Sequence, residues 1–126
     1  MELQLKFREL LGITHSLKTI IDDDKSRINV LLKFRLLGIL RSMEPYVSNF
    51  EIVRNEKIME YGKENEDGGY QIPAEDTDAI NRFQSDLEQV LDSDVTVSME
   101  LLKPEEIFDK GLKSEYIISI YSLIRE

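Results

Sequence analysis

A heptad pattern of apolar residues in the first half of the chain constrains the fold most. Seven residues follow one another at spacings of 4, 3, 4, 3, 4 and 3: Leu32, Leu36, Ile39, Met43, Tyr46, Phe50 and Val53. Such spacing places side chains on one face of an α-helix and lets two helices pack side by side. The sequence therefore predicts a long helix with an interaction seam formed by these residues.

Pro45 lies in the middle of this seam. Proline cannot donate to the hydrogen-bond ladder of a helix and its ring clashes with the preceding turn. A kink or a break is expected there. Because the seam keeps its phase on both sides of Pro45, a kink is favoured.

A second, shorter seam follows a segment rich in glycine and acidic residues. This connector spans residues 62–73, and its Asp67-Gly68 pair is a strong signal for a tight turn and a small hairpin. The residues of the second seam repeat the spacing of the first: Ile80, Phe83, Leu87 and Val90. We expect residues 77–92 to fold back on the end of the long helix as an antiparallel helical hairpin.

Two short segments alternate between apolar and polar residues, which is typical of strands with one buried face. The apolar positions are Leu3, Leu5 and Phe7 in the first and Val95, Val97 and Met99 in the second. Pairing them would join the two halves of the chain in a two-stranded sheet. The predicted fold class is mainly α with a minor β element (α+β), in one helical domain over residues 1–126.

Two further features concern the ends of helices. The aspartates at positions 22–24 separate the first helical segment from the long helix and are suited to cap its N-terminus. The last segment is apolar nearly all round, at Ile117, Ile118, Ile120, Tyr121, Leu123 and Ile124. A helix of this kind is buried against its own fold or against a partner.

The residue types that carry catalysis or bind metals are scarce. The chain has no cysteine, which excludes disulfides, thiol catalysis and cysteine-ligated metals. Its single histidine, His15, has no nucleophile motif around it and is interpreted as a surface or half-buried helix residue. The run at 22–24 lacks the glycine and glutamate of an EF-hand loop. We predict no enzyme, no metal site and no cofactor.

Charge is divided unevenly along the chain. Residues 1–59 have a net charge of +2, residues 60–109 of −12 and residues 110–126 of +1. A basic stretch without an intervening acid comprises Lys25, Arg27, Lys33, Arg35 and Arg41. It can bind nucleic acid or an acidic partner, or pair with the acidic segment within the fold or in a neighbouring subunit. The overall net charge of −9 argues against a general nucleic-acid binder.

No apolar run approaches the ~20 residues that span a bilayer, and the N-terminus lacks the pattern of a signal peptide. We expect no membrane partner. The expected location is the cytoplasm of a host cell or a virion.

Several segments together carry a resemblance. The first is a Leu/Phe-containing strand at the start, and the second is a long charged helix that ends near Glu60-Tyr61-Gly62-Lys63. The third is the turn Glu66-Asp67-Gly68-Gly69-Tyr70, which precedes an acidic helix. The fourth is the segment Gly111-Leu112-Lys113-Ser114-Glu115-Tyr116, which leads into a last helix with Tyr121 and Leu123. In this order they resemble a family of small phage and prophage proteins of Gram-positive bacteria whose function is unknown. The resemblance implies a phage-encoded accessory protein and transfers no active site.

These features favour a non-enzymatic accessory interaction protein that acts through helical packing surfaces and self-associates. The expected partner is a second copy, a host protein or another phage protein. The alternative is an acidic inhibitor that imitates the charge of DNA, since residues 60–109 concentrate the negative charge. In the simpler interpretation these acids form a solvated helix surface.

Overall fold

A computed structural model describes residues 2–23 and 27–124 of the chain. In chain order the elements are β1 (Glu2–Lys6), α1 (Phe7–Ile21), α2 (Val30–Tyr61), β2 (Lys63–Glu64), β3 (Tyr70–Gln71), α3 (Thr77–Leu91), β4 (Asp94–Ser98), α4 (Pro104–Ile107), α5 (Ser114–Ser119) and a 3₁₀ turn (Tyr121–Leu123). The fold is mainly α with a minor β element, as predicted.

The chain forms two compact units. Unit 1 comprises Met1–Pro45 and Asp94–Glu126, and unit 2 comprises Tyr46–Ser93. Helix α2 contributes to both, because it continues through Pro45. The helix is therefore not broken at this proline. That the whole chain is one domain stays a prediction.

The sheet of unit 1 joins distant parts of the sequence. Strand β1 pairs antiparallel with β4, which places Leu3 opposite Val97 and Leu5 opposite Val95. Leu5 and Val97 are buried, so the apolar side of the alternation faces the core. The predicted pairing of the two alternating segments is confirmed, but both strands are shorter than predicted, because Phe7 begins α1 and Met99 follows the end of β4.

Unit 1 contains nearly all of the buried apolar side chains. Of the seventeen in the described part of the chain, sixteen belong to this unit: Leu5, Phe7, Leu10, Ile13, Leu17, Ile20, Leu32, Leu36, Ile39, Leu40, Met43, Val97, Leu102, Ile107, Ile120 and Leu123. They come from α1, from the first half of α2 and from the C-terminal segments. Their spacing along α1 is that of one helix face, which explains why α1 forms here.

The start of α2 differs from the expectation. Asn29 caps this helix, since its side-chain oxygen accepts hydrogen bonds from the backbone N–H groups of Leu31 (2.9 Å) and Leu32 (3.3 Å). Asp22 lies instead at the C-terminal end of α1. The prediction that an aspartate at 22 or 23 caps the long helix was therefore wrong, and Asp24 lies outside the described residues.

Unit 2 consists of the second half of α2, a short hairpin and α3. In the hairpin β2 pairs with β3, and Gly68 has a φ of 86°, which the turn requires and glycine adopts readily. Asp76 caps α3 by accepting a hydrogen bond from the N–H of Ala79 at 3.1 Å. Helix α3 then runs back beside α2, with Tyr61 hydrogen-bonded to Asp86. The predicted hairpin of helices is confirmed.

The C-terminal segment is less regular than predicted. Helix α5 has six residues and is followed by a 3₁₀ turn. Ile120 and Leu123 are fully buried, whereas Ile118 is 75% exposed. The segment before α5 depends on Gly111, whose φ is 84° and whose Cα faces the backbone carbonyl of Arg27.

Candidate interaction surfaces

The first half of the predicted seam is not a surface. Leu32, Leu36, Ile39 and Met43 all lie in the core of unit 1, where at most 2% of each residue is exposed. Their heptad spacing reflects packing within the chain. Only the last three residues of the seam can therefore contribute to an interaction surface.

These three residues, Tyr46, Phe50 and Val53, are half-buried in unit 2. Val53 borders an open groove of about 390 Å³ together with Val90 of α3. The polar side chains of Lys57 and Asp86 line the same groove. Packing between α2 and α3 therefore covers this part of the seam incompletely.

A cluster of polar side chains connects α2 to α3 in unit 2. The Tyr61 hydroxyl donates to Asp86 Oδ2 at 2.6 Å, and Lys57 Nζ lies 2.7 Å from Glu60 Oε2 and 3.7 Å from Asp86 Oδ2. The hydrogen bond to Asp86, followed by partial desolvation, raises the pKa of Tyr61. The hydrogen bond to Glu60 raises the pKa of Lys57. Both groups hold their protons more tightly than usual, which is the opposite of what a base or nucleophile needs.

Unit 1 has a similar cluster of one tyrosine, one aspartate and one lysine. Asp23 Oδ2 accepts from the Tyr116 hydroxyl at 2.6 Å and from Lys113 Nζ at 3.2 Å. The hydrogen bond to Asp23 raises the pKa of both donors. The cluster fixes the end of α1 to the start of α5. Sequence reasoning missed it, because the partners are about ninety residues apart and share no local pattern.

His15 is exposed on α1. It borders a groove of about 290 Å³ whose other lining residues include Glu115 and Tyr116. Its position fits the surface interpretation of this histidine.

The basic stretch separates into paired and exposed side chains. Arg35 Nε lies 2.9 Å from Glu106 Oε2, and this contact lowers the pKa of Glu106. Its guanidinium also donates to the backbone carbonyl of Leu101 at 3.3 Å. Arg35 is therefore a structural residue of unit 1 that pairs with the acidic segment, which was one of the open alternatives.

The other members behave differently. Arg27, Lys33 and Arg41 are exposed, and none forms an ion pair with another residue in the described ranges. Lys25 lies outside those ranges. The structure thus does not bring the four described basic residues, Arg27, Lys33, Arg35 and Arg41, together in one site.

The start of α2 also presents apolar side chains to solvent. Val30, Leu31 and Phe34 are each more than 70% exposed. Val30 and Phe34 are one helical turn apart and lie on the side of α2 away from the buried Leu32. This surface was not predicted from the sequence, because only the heptad positions of α2 were considered. The four-residue spacing of Val30 and Phe34 was a signal for it.

A second exposed apolar pair belongs to the part of α2 in unit 2. Ile52 is 58% exposed and Met59 is 55% exposed. Seven residues separate them, so they share a helix face. Glu56 lies on that face between them and is exposed.

The acidic segment is divided between the two units. In unit 2, Glu64, Glu66 and Asp67 of the hairpin are exposed. In unit 1, Asp94 lies 2.9 Å from Lys6 Nζ. Some acids of this segment therefore form ion pairs and others are solvated.

Within residues 2–23 and 27–124, no group of three or more His, Cys, Asp or Glu side chains is placed so that it could hold a metal ion. None of the helices described has both the length and the apolar character to cross a membrane. In comparisons with known proteins, no family model, curated protein or solved structure matches this chain.

Proposed function

We propose that this chain is a non-enzymatic accessory interaction protein, encoded by a phage or prophage, and that it self-associates through exposed side chains of α2. The phage assignment follows from the resemblance of its sequence segments. The self-association follows from the apolar surface at the start of α2.

The exposure of Phe34 is the observation that carries the proposal. Its aromatic side chain is 74% exposed near the start of α2, where the opposite face of the helix is buried at Leu32 and Leu36. Burying a phenylalanine side chain contributes about 1.5–3 kcal/mol. Val30 and Leu31 enlarge the patch, and a contiguous apolar patch is typical of a protein interaction site.

The absence of enzymatic activity is supported by the roles of the titratable side chains. The groups with shifted pKa values, such as Tyr61 and Tyr116, have structural partners. Each contact joins two segments of the fold. We therefore assign these groups to stability.

Sedimentation velocity over a wide range of concentrations tests the proposal. We expect the weight-average mass to rise with concentration in the wild-type chain, and Phe34→Ser to weaken this association about tenfold or more. Ile118→Ser is the matched control, because Ile118 is equally exposed in unit 1. A wild-type chain that remains monomeric at high micromolar concentration would contradict the proposal.

The acidic inhibitor is retained as a second candidate because of the charge of unit 2. This unit contains twelve acidic and four basic residues, a net charge of −8. A protein captured from host cells that binds both this chain and duplex DNA, in competition, would support it. A captured partner that binds DNA and this chain simultaneously would count against it.

A further inference from the structure

Two exposed surfaces of α2 are alike in their number of apolar side chains and opposite in charge. The basic surface comprises Val30, Lys33, Phe34 and Arg41, and the acidic surface comprises Glu51, Ile52, Glu56 and Met59. Each has two large apolar side chains on one helix face. Each also has two charged residues of one sign.

The basic surface lies in unit 1. Between Lys33 and Arg41 the helix contains no acidic residue, and its other cation, Arg35, is paired with Glu106. Lys33 and Arg41 form no ion pair with any other part of the described chain. Their charge is therefore available to a partner.

The acidic surface lies in unit 2. Glu51 and Glu56 lie on either side of the line that joins Ile52 to Met59. Neither glutamate forms an ion pair within residues 2–23 and 27–124. The net charge of −8 of unit 2 adds to the negative potential around them.

We propose that the basic surface of one copy binds the acidic surface of a second copy. This inference rests on the proposed self-association and specifies which two surfaces form the contact between the copies. Two basic surfaces repel each other when they meet, and so do two acidic ones. Opposite charges favour only the mixed contact and speed its formation. The apolar pairs supply the buried area that exposed ion pairs alone do not provide.

Reversing the charges tests this pairing. Lys33→Glu with Arg41→Glu gives a chain whose two surfaces are both acidic, and Glu51→Lys with Glu56→Lys gives a chain whose two surfaces are both basic. We expect each variant alone to associate at least about tenfold more weakly than the wild type. An equimolar mixture of the two variants is expected to regain the wild-type association.

A matched control separates this effect from net charge. Glu64→Lys with Glu66→Lys changes the charge of unit 2 by the same amount, at exposed positions of the hairpin. We expect this variant to associate as the wild type does. Circular dichroism tests whether each variant is folded. We expect all of them to be folded, because the substituted side chains are exposed.

Crosslinking gives a second measurement that tolerates some loss of stability. The chain has no cysteine, so introduced thiols are the only ones present. In aerated buffer, where dissolved oxygen is the oxidant, we expect Lys33→Cys mixed with Glu56→Cys to form disulfide-linked dimers faster than Lys33→Cys mixed with Glu115→Cys. The thiol of this control is exposed on α5, outside both surfaces. Equal rates in the two mixtures would overturn the pairing.

The outcomes separate the two proposals. A monomeric wild type would overturn both the self-association and the pairing of surfaces. A wild type that associates, together with reversed variants that do not complement each other, would overturn only the pairing.

Discussion

Unit 1 and unit 2 both contain amphipathic helices, but they differ in how far these helices bury their apolar side chains. Unit 1 has sixteen buried apolar side chains, whereas Ala79 is the only one described in unit 2. The apolar face of α3, formed by Ile80, Phe83, Leu87 and Val90, is only half-buried. Amphipathic spacing thus predicts which side of a helix packs, and not how completely it is covered.

The difference has an energetic consequence. Each fully buried large apolar side chain contributes about 1.5–3 kcal/mol, and a unit with few of them is marginal. Unit 2 relies instead on the hairpin, on the Asp76 cap and on the cluster around Tyr61. We therefore expect unit 2 to open at a lower free energy than unit 1.

Truncation of one leucine in each unit is expected to have the largest effect. Leu36→Ala removes a fully buried side chain from unit 1 and is expected to lower the free energy of unfolding by about 2–5 kcal/mol. Leu87→Ala removes a half-buried one from unit 2, with an expected loss of about 1 kcal/mol. Urea unfolding measures both. Equal losses would show that unit 2 has a core as tight as that of unit 1.

Glycine substitutions are expected to give the next largest contrast. Gly111→Ala in unit 1 combines a positive φ with overlap of the new Cβ and the carbonyl oxygen of Arg27, so we expect a loss of about 1–3 kcal/mol. Gly62→Ala in unit 2 places its Cβ against the carbonyl of Ile58 and 2.8 Å from that of Gln71. We expect it to loosen mainly the hairpin, because little of the core depends on it.

Hydrogen exchange distinguishes the two effects. Gly111→Ala should speed amide exchange throughout unit 1, while Gly62→Ala should speed it in the hairpin and α3. Gly68→Ala is not a suitable control, because its φ is also positive. Gly38→Ala is suitable, since a Cβ there meets no atom within 4 Å.

Much of the fold follows from the sequence. The alternation around Leu5 and Val97 predicted both strands, and the spacing along α2 and α3 predicted their hairpin. These patterns are local, and local backbone preferences act on them directly. The cap of α2 could not be assigned in this way, because several residues able to cap a helix precede it. The residue that caps it, Asn29, also makes a long-range contact, since its backbone N–H donates to the carbonyl oxygen of Lys110 at 2.8 Å.

The candidate surfaces were harder to predict. The first half of α2 has apolar residues on nearly every side, so its periodicity does not tell the buried Leu36 from the exposed Phe34. Burial there is decided by segments distant in sequence, such as the one that contains Ile107. The ion pair of Arg35 with Glu106 depends on the same packing.

Because of the Arg35–Glu106 pair, we expect the stability difference between the wild type and a Glu106 variant to depend on pH. The hydrogen bond from Arg35 lowers the pKa of Glu106 in the folded state, so its stabilisation is present above the unfolded pKa and is lost as the pH falls through the folded pKa. Both side chains are part-buried, with 29% and 30% of their surface exposed, so solvent still screens the pair and we expect a contribution of about 1 kcal/mol. We expect Glu106→Gln to lower the melting temperature at pH 7 and to melt with the wild type well below pH 4. A difference that persists unchanged at low pH would assign the effect to packing.

The two Tyr–Asp–Lys clusters give the smallest expected effect and the closest comparison of the units. They share one contact, since both tyrosine hydroxyls lie 2.6 Å from a carboxylate oxygen. They differ in the lysine, whose Nζ lies 3.2 Å from Asp23 in unit 1 and 3.7 Å from Asp86 in unit 2. Both tyrosine pKa values are raised, so each cluster stabilises the fold below the unfolded tyrosine pKa and loses this contribution as the pH rises through the folded value.

An ultraviolet pH titration measures the ionisation of the tyrosines. We expect Tyr61→Phe and Tyr116→Phe each to lose the signal of one tyrosine whose pKa is raised. Their effects on hydrogen exchange are expected to differ. Around Tyr116 the neighbouring Ile120 and Leu123 remain buried, so unit 1 retains its protection. Tyr61 connects α2 to α3 where few apolar side chains are buried, so its loss should speed exchange along α3. Equal effects of the two substitutions would mean that these clusters, and not the apolar core, set the stability of both units.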